Sequence, residues 1–588
     1  MKQTIIIVSL ILFSGICPKG FATSYYCDPV GGSMGNTGTS TNSAWGNLQS
    51  VFLAGKTFSA ADEIFLMNGA HGQPDIGSAG THTDYVTIKP YPGHTPKVAS
   101  LRIRAGSYWA LDNLTFATDG SGGTFTRSYM LETLVPIDYI KAENCSFYSV
   151  EDSSAWSKTD WDANADKAVM IRGDYTIFNT NTIENTSFAL EIRGNHAEVK
   201  GNLIDNFSGD ALRALGSDAT YEGNTIRDAY IHDYAVNHDD AIQMYTLFPG
   251  TSTVDPNGVI SNVVFRNNKI YNFADPITPQ MIAQNMVGYW MQSIINTDGH
   301  VENVVIENNL IVADHSHGIT LLGPVNCRVQ NNTVMKTPTE ANQDSGNNTP
   351  WIAFWADKVG NQPADSTMRN NISSLFTPGT HSAGSNILVE NNLEPAASTY
   401  TNVFADYNNF DFSLKTGSPA FNAGANTDLT ATDIASKPRW VGTYVDCGAY
   451  EFQPYEAWIA GYPGVGAETN MTDNPDNDSL NNLWEWALGG NPDDDTDIGH
   501  SQTVGIIEYM GDNWLEYIHA KHNDADALGL SYYVEKNTQL TNSAAWTINY
   551  DFMAGEPDSA GSGFGTVTNW VITTVEDAQF MRLIIEAD

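Results

Sequence analysis

The chain has 588 residues, and its 68 acidic residues outnumber its 28 lysines and arginines, which gives a formal net charge of −40 at pH 7. A negative field of this size repels nucleic acids and anionic membranes, so neither is an expected partner. The length exceeds what one compact core holds, which predicts an elongated domain with smaller modules beside it.

The first 22 residues have the pattern of a secretory signal peptide. Lys2 gives a positive start, an apolar run follows from Ile5 to Phe13, and the segment ends in Gly-Phe-Ala, whose small residues suit a signal peptidase. Cys17 would suggest a lipid anchor, but Ile16 is larger than the small residue wanted before a lipidated cysteine. We therefore expect a released, secreted protein, extracellular or periplasmic. No later apolar stretch reaches the roughly 18 residues that a membrane span requires.

A repeat dominates the middle of the chain, in which Asn is followed by a β-branched or aliphatic residue. Successive asparagines are 21, 22, 44, 41, 23 and 39 residues apart, a period near 22 that insertions enlarge in places. They are Asn181, Asn202, Asn224, Asn268, Asn309, Asn332 and Asn371. Such a unit has room for three short strands and three turns, and stacked strands about 4.8 Å apart would place each Asn over the last. The repeat predicts an all-β fold, a right-handed parallel β-helix with an Asn ladder.

A second strand in each repeat alternates between apolar and polar residues. Because successive side chains point to opposite faces of a strand, one set is expected to face the core: Leu190, Ile192, Leu212, Ile242, Met244, Ile319 and Leu321. The other set is expected to face outward: Glu191, Arg193, Arg213, Gln243, Tyr245 and Thr320. Asp239, Asp240 and His317 stand at the entry to this strand, so one outer face collects groups that can carry chemistry.

The opening and the close of the repeat region resemble extracellular β-helix enzymes, the group of chondroitinase B-like alginate lyases and mannuronan epimerases. The residues that carry the resemblance are Ser24–Pro29, Ala61–Gly69, Val86–Pro90, Ser107–Asp112, Gly417–Ala420 and Asp446–Glu451. The resemblance covers about Ser24 to Phe452 and implies a polysaccharide substrate. It also implies that two clusters frame the sugar, Asn237–Asp240 and His315–Gly318. The full calcium-carboxylate and Lys/Arg pattern of the chondroitinase B group is not found.

Elimination across a uronic acid requires a base for the C5 proton and a positive charge or metal at the carboxylate. Arginines are the candidate carboxylate ligands, and His238, His317 or Tyr245 is the candidate base. Arg213 could instead pair with Asp210 or Glu191. The predicted catalytic residues are Arg213, His238, Asp239, Asp240 and His317. The predicted substrate-binding residues are Glu191, Arg193, Gln243, Tyr245 and His315.

Two alternatives to elimination stay open. Hydrolysis requires two carboxyl groups about 5–9.5 Å apart, which Asp239 or Asp240 with Glu191 or Asp298 would supply. The order Asp-Asp and then His-Gly also resembles the pectin hydrolases of this fold, although 77 residues separate Asp240 from His317. A non-catalytic carbohydrate-binding solenoid is the second alternative. Elimination is slightly favoured, because arginine and histidine dominate the aligned face.

A twelve-residue stretch after the repeats has the spacing of an EF-hand calcium loop. The side chains at positions 1, 3, 5, 9 and 12 and the carbonyl at position 7 would supply the oxygens. They belong to Asn474, Asp476, Asp478, Asn482, Glu485 and Leu480. Asn at position 1 and Ser at position 6 depart from the pattern, and an acidic linker is the alternative. The loop resembles those that precede C-terminal modules in secreted bacterial proteins, which implies a structural calcium; a catalytic calcium stays open.

Short alternating runs from about residue 502 onward predict a small β-sandwich, for which sugar binding, secretion and a spacer role are all open. We therefore expect a signal peptide at 1–22, a β-helix catalytic domain at 23–455, a calcium-loop linker at 456–500 and a β-sandwich at 501–588. The expected protein is a monomer. Cys27, Cys145, Cys327 and Cys447 lack the spacing of a metal site, and their pairing is left open.

Overall fold

The computed structural model describes residues 22–77, 82–230, 239–272, 291–338, 349–377, 384–526, 528–541, 546–548, 552–556, 563–574 and 578–587. The expected signal peptide, up to residue 21, lies outside the described residues, and so does His238. The chain divides into two compact units, residues 1–203 and 204–588. Each unit carries three parallel sheets, which we call sheets A, B and C within each unit.

In the first unit, the strands of each sheet pair in chain order. Sheet A contains Ser24–Cys27, Glu63–Leu66, Val86–Pro90, Trp109–Asp112, Ile140–Glu143, Ile177–Asn179 and Glu198–Lys200. Sheet B contains Lys97–Val98, Thr115–Ala117, Ser146–Tyr148 and Thr182–Thr186. Sheet C contains Asp75–Ile76, Leu101–Ile103, Tyr129–Thr133, Lys167–Ile171 and Leu190–Ile192. The 3-10 turn Thr41–Ser43 and the helices Leu48–Leu53 and Lys158–Asn164 lie between strands.

The second unit repeats this arrangement. Sheet A contains Thr220–Glu222, Val264–Arg266, Val305–Glu307, Arg328–Gln330, Thr367–Arg369 and Leu388–Glu390. Sheet B contains Leu203–Phe207, Thr225–Ala229, Lys269–Tyr271, Leu310–Ala313, Thr333–Lys336 and Ile372–Ser373. Sheet C contains Leu212–Ala214, Asp240–Tyr245, Gln292–Asp298, His317–Leu322, Trp351–Trp355 and Leu375–Phe376. A separate parallel pair joins Val259–Ser261 to His300–Glu302.

Each sheet is held together by side chains that stack on their equivalents in the next strand. In sheet C of the second unit, the residues Leu212, Ile242, Ile294, Ile319 and Ile352 pair in that order, and each is at most 1% exposed. Burial of apolar surface contributes about 25 cal/mol per Å², so these stacks stabilise the coil. The seven residues expected to face the core are all buried, and the predicted parallel β-helix is confirmed.

The predicted Asn ladder is confirmed within each unit. In the first unit, the side-chain amide of Asn181 donates to Oδ1 of Asn202 at 3.1 Å. In the second unit, the same bond at 2.9–3.0 Å links each asparagine to the next. The series is Asn224, Asn268, Asn309, Asn332, Asn371 and Asn392. The residue before a rung takes the left-handed conformation, as Asn308 does with φ 55°, a region that Asn tolerates better than most residues. This explains why the repeat so often reads Asn-Asn.

The parallel strands end at Glu390, and an irregular segment follows. It contains the 3-10 turns Ala397–Thr399 and Tyr407–Asn409, the helix Tyr400–Val403, and an antiparallel pair, Phe404–Asp406 with Asp411–Leu414. Next come the helix Pro454–Ile459, the 3-10 turn Pro463–Val465 and the helix Asn482–Leu488.

The C-terminal region forms two antiparallel sheets, as the sequence predicted. One contains Thr503–Tyr509, Asp512–His522, Phe564–Ile572 and Phe552–Glu556 in that order. The other contains Thr547–Ile548, Leu530–Asn537 and Phe580–Ala587. The four cysteines beyond the expected leader are buried free thiols. Among the described residues, no helix is both long and apolar enough to cross a membrane.

Candidate active site

The outward residues of sheet C in the second unit form a row across neighbouring strands. Arg213 pairs with Gln243, Gln243 with Ile295, and Ile295 with Thr320. Because pairing partners in register point to the same face, these four side chains share the outer side of the sheet. Arg213 and Gln243 are partly exposed, whereas Ile295 and Thr320 are buried. The outer face is therefore covered over part of its length.

An ion pair occupies one end of this row. Nε and Nη2 of Arg213 both lie 2.6 Å from Oδ2 of Asp210. The other oxygen of Asp210 accepts the backbone N–H of Asp240 at 2.9 Å. Asp210 is buried, so the geometry fixes the guanidinium at the edge of the site and ties two neighbouring strands together. The pairing of Arg213 with Asp210 was one of the two roles left open by the sequence.

Asp240 is a buried carboxyl next to this row. It is completely buried, its Oδ2 accepts the side-chain amide of Gln243, and its Oδ1 has no hydrogen-bond partner among the described residues. Burial, followed by the negative charge of Asp210 and then of Asp239, raises the pKa of Asp240 well above the usual range, against the opposing effects of Gln243 and Arg213. A raised pKa lets a carboxyl hold its proton to higher pH than a free carboxyl does, which suits general acid catalysis.

His317 lies in an aromatic cluster on the same sheet. Its ring stacks on that of His315, with centroids 5.2 Å apart and planes at 17°. The rings of Trp351 and Trp355 meet it edge-on, with centroid distances of 5.0 and 5.3 Å. Burial lowers the pKa of His317 to about 4, so the ring is neutral at neutral pH. Nδ1 of His317 lies 2.8 Å from the hydroxyl of Thr320.

Asp240 and His317, which are far apart in sequence, lie on nearby strands of sheet C. Only the strand Gln292–Asp298 lies between the strands that carry Asp240 and His317. Two strand spacings correspond to about 10 Å. The 76 residues between them include the loop at 246–258, which adds sequence without adding a strand to sheet C, so the separation in sequence does not count against a shared site.

The remaining predicted residues lie in different places. In the first unit, Arg193 binds the buried carboxylate of Glu191 through Nε. Tyr245 follows Gln243 on the outer face and pairs in register with Asp298, which in turn binds Lys358 at 3.0 Å. His238 lies outside the described residues.

The sequence prediction missed Trp351 and Trp355 as part of this face, and gave Asp210 only the role of a counter-ion. The signal for the tryptophans was present: in Trp351–Trp355 they alternate with Ile352 and Phe354, which are completely buried.

The predicted calcium loop brings its ligands together. Oxygens of Asp476, Asp478 and Glu485 lie within 4.8 Å of one another. Six buried side-chain oxygens of the loop have no hydrogen-bond partner among the described residues, and both of Glu485 are among them. The other four belong to Asn474, Asp476, Asp478 and Asn482.

The hydrogen bonds of Asn482 and the burial of Glu485 both favour a bound cation. The amide nitrogen of Asn482 donates to the carbonyls of Glu468 and Asn470 at 3.0 and 2.9 Å, which leaves its oxygen for a cation. Glu485 is completely buried, and burial, with the charges of Asp476 and Asp478, raises its pKa to about 7. Buried oxygens that repel one another and lack donors are what a calcium ion would satisfy.

No family model matches the chain, and no curated protein is significantly similar to it in sequence. Among solved structures, it is similar to pectate lyase Pel9A, with 16% identity, 74% of this chain and 97% of that chain covered, and a TM-score of 0.36. It is also similar to the A-module of mannuronan C-5 epimerase AlgE4 from Azotobacter vinelandii, with 10% identity, coverage of 59% and 90%, and a TM-score of 0.29. A third is a mannuronic acid-specific family 6 polysaccharide lyase from human gut microbiota, with 10% identity, coverage of 58% and 80%, and a TM-score of 0.20. The chain is a parallel β-helix protein.

Proposed function

We propose that this chain is a secreted enzyme that cleaves the glycosidic bonds of an acidic polysaccharide on the outer face of sheet C in the second unit. The observation that carries the proposal is Asp240, a buried carboxyl with a raised pKa beside the partly exposed Arg213 and Gln243, with the partly exposed His317 two strands away. A carboxyl with a raised pKa can act as the acid that delivers a proton to a leaving group. The predicted leader supports secretion, which would bring the site to extracellular polymers.

Either way of breaking a glycosidic bond leaves an oxygen that must gain a proton, and Asp240 is proposed to supply it. Arg213 is proposed to contact the acidic group of the sugar. A guanidinium has five N–H donors, and Asp210 engages it through Nε and Nη2. The planar fork of a guanidinium matches the geometry of a carboxylate or sulfate. Trp351 and Trp355 would add apolar contacts to sugar rings.

Elimination remains the first candidate reaction, and Tyr245 and His238 are the proposed bases. Tyr245 is partly exposed and lies on the same face as Gln243. Hydrolysis is the second candidate, and the specific observation in its favour is that Asp239 adjoins Asp240, the carboxyl with the raised pKa. Two carboxyl groups, one as the acid and one as the base or nucleophile, usually carry out glycoside hydrolysis.

The test is a panel of acidic polymers: alginate, pectate, chondroitin, ulvan, fucoidan and carrageenan. Each digest is measured both for the ultraviolet absorbance of unsaturated uronate ends and for new reducing ends. Absorbance together with reducing ends supports elimination, and reducing ends alone support hydrolysis. The absence of both new absorbance and new reducing ends on every polymer contradicts the proposed cleavage and favours a carbohydrate-binding solenoid.

A matched pair of variants connects the activity to the site. Asp240→Asn keeps the shape of the side chain and removes the acid, so it should lower turnover by about 10²-fold or more. Glu302→Gln removes a carboxylate on a separate strand pair, where Glu302 contacts His300, and should leave turnover unchanged. Equal activity in the two variants would place the site elsewhere.

We also propose one structural calcium ion in the loop 474–485. Asn474, Asp476, Asp478, Asn482 and Glu485 would hold it by side-chain oxygens, with the Leu480 carbonyl completing the set. The ion would neutralise three carboxylates that otherwise repel one another. The orphaned buried oxygens support the proposal.

Calorimetric titration of the chelator-treated full chain with calcium tests the site. One ion should bind, and Glu485→Gln should abolish that binding. Asp494→Asn alters a nearby exposed carboxylate that binds Thr496, and should leave the binding unchanged. No binding at millimolar calcium would mean that the segment is an acidic linker.

A further inference from the structure

The ring of His317 is held by two neighbours on its own sheet. Its strand, His317–Leu322, pairs with Trp351–Trp355, and His317 stands in register with Trp351. Thr320 follows three residues after His317 and is completely buried. One hydrogen-bonded chain runs from the indole of Trp351 through the hydroxyl of Thr320 to the imidazole of His317.

The direction of this chain follows from the donor inventory of its members. An indole N–H can only donate, so Trp351 donates to Oγ1 of Thr320 at 3.0 Å. The hydroxyl hydrogen of the buried Thr320 then needs an acceptor of its own. Among the described residues, Nδ1 of His317, at 2.8 Å, is the acceptor within reach of that hydroxyl. Nδ1 of His317 therefore accepts and carries no proton.

The surroundings of His317 keep the imidazole in its neutral form. Burial lowers its pKa to about 4, and no charged group contributes to that shift. The elements packed against it present aromatic rings, those of Trp351, Trp355 and His315. Nδ1 of His315 accepts the backbone N–H of His317 at 3.0 Å, which requires that nitrogen of His315 to be unprotonated. A neutral imidazole has one N–H, and in His317 it must be on Nε2.

We infer that Thr320 and Trp351 are positioning residues that hold His317 as a neutral imidazole with its proton on Nε2, so that His317 donates a hydrogen bond to the sugar and does not act as the base. The role towards the sugar rests on the proposed function, whereas the tautomer does not. A neutral N–H donor can stabilise negative charge as it develops on a substrate oxygen. The proton abstracted during elimination must then go to another group.

Nitrogen NMR of the full chain with labelled histidine tests the tautomer directly. His317→Gln removes one of the 13 histidines and so assigns its signals. The expected wild-type spectrum has Nδ1 of His317 as an unprotonated nitrogen and Nε2 as a protonated one from neutral pH down to about pH 5. A proton on Nδ1 in the wild type would overturn the inference whether or not the protein cleaves any polymer.

Variants separate positioning from simple packing. Thr320→Val keeps the shape but removes the hydroxyl, and Trp351→Phe keeps a ring but removes the N–H donor. Both should mix the two tautomers of His317, while Thr320→Ser restores the wild-type signals. On the substrate found by the polymer panel, Thr320→Val should lower kcat/KM about tenfold or more, and Thr320→Ser should recover most of it. Unchanged tautomers in Thr320→Val would overturn the positioning role.

The donor role has its own readout. His317→Gln retains an N–H donor, so it should keep at least about tenfold more activity than His317→Ala. Glutamine cannot replace a general base, and equal loss in the two variants would overturn the donor role. If no polymer in the panel is cleaved, the proposed function fails, while the tautomer is still decided by the spectrum.

Discussion

Arg439 bonds to Asn308 across 131 residues of sequence: its Nη2 donates to Oδ1 of Asn308 at 2.7 Å. The same guanidinium donates to the carbonyls of Gly448 and Ala449, and it lies 3.6 Å from the carboxylate of Glu451. Arg439 is 1% exposed, and Glu451 is buried as well. The buried guanidinium thus connects the closing segment of the chain to the turn that follows the strand Val305–Glu307.

Removal of this guanidinium should destabilise the second unit strongly. Arg439→Met keeps much of the volume but leaves the carboxylate of Glu451 buried without its cation, which typically costs about 3–5 kcal/mol. Chemical unfolding followed by circular dichroism measures the change. Lys437→Met breaks the exposed ion pair with Glu456 and should have little effect. Similar losses in both variants would contradict the structural role of Arg439.

Substitution of an interior asparagine of the ladder should lower the free energy of unfolding much more than substitution of the last one. Asn309 donates to Phe265, Glu307 and Asn332, and it accepts two bonds from Asn268. Asn309→Ala leaves several buried groups without partners, each worth about 1–3 kcal/mol. A total loss of about 3 kcal/mol or more is expected in chemical unfolding.

The matched control for this rung is Asn392→Ala. Asn392 is the last rung described, is partly exposed, and accepts from Asn371. Water can replace its bonds, so a loss of about 1 kcal/mol is expected. Equal losses at the two rungs would show that the ladder contributes little beyond local turn geometry.

The sequence predicted the fold well because its signal is local and repeated. Each turn of the coil requires an asparagine at the same place. The period near 22 therefore indicates a β-helix even when no contact between strands is known. The site depends instead on register between strands. That Arg213 meets Gln243, and that Thr320 lies between His317 and Trp351, follows only once insertions such as residues 246–258 are assigned to loops. Thr320 points to the outer face, as the alternation of the strand predicted. Its complete burial could not be predicted, because it depends on side chains from other strands that cover this part of the sheet.

His71 should make the first unit sensitive to mild acid. Its Nε2 donates to the carbonyl of Met67 at 2.8 Å, and its Nδ1 accepts the backbone N–H of Leu48 at 3.2 Å, so both nitrogens of the neutral ring are used. Burial lowers the pKa of His71 to about 4. The unfolded chain takes up this proton near pH 6.5 and the folded chain only near pH 4, so stability falls as the pH drops through that range.

The size of this effect can be isolated with one variant. A pKa difference of about 2.5 units corresponds to about 3 kcal/mol between pH 6.5 and pH 4. The free energy of unfolding is measured by denaturant titration at several pH values. Between pH 6.5 and pH 4 it should fall by that amount more in the wild type than in His71→Gln. Parallel curves for the two proteins would contradict the assignment.

Calcium binding by the loop 474–485 should weaken steeply below neutral pH. In the calcium-free protein, burial and the neighbouring carboxylates raise the pKa of Glu485 to about 7, and a carboxylate must lose its proton before it binds a metal ion. The affinity measured by calorimetry should therefore fall about tenfold per pH unit below about pH 7. A constant affinity between about pH 5 and pH 7 would exclude Glu485 as a ligand.

Asp210 should set the upper pH limit of the proposed cleavage. Its negative charge is the largest electrostatic cause of the raised pKa of Asp240, second only to burial, and it also engages Arg213, whose own charge acts in the opposite direction. Asp210→Asn removes the like charge and retains an oxygen for the backbone N–H of Asp240. The pKa of Asp240 should therefore fall.

If Asp240 must be protonated to act as the acid, the alkaline limb of the profile of kcat/KM against pH moves to lower pH in Asp210→Asn, while activity at acidic pH is largely kept. Glu302→Gln, which removes a carboxylate outside sheet C, should leave the profile where it is. An alkaline limb that stays fixed in Asp210→Asn would show that the limb reports another group, and Asp240 would lose its role as the acid.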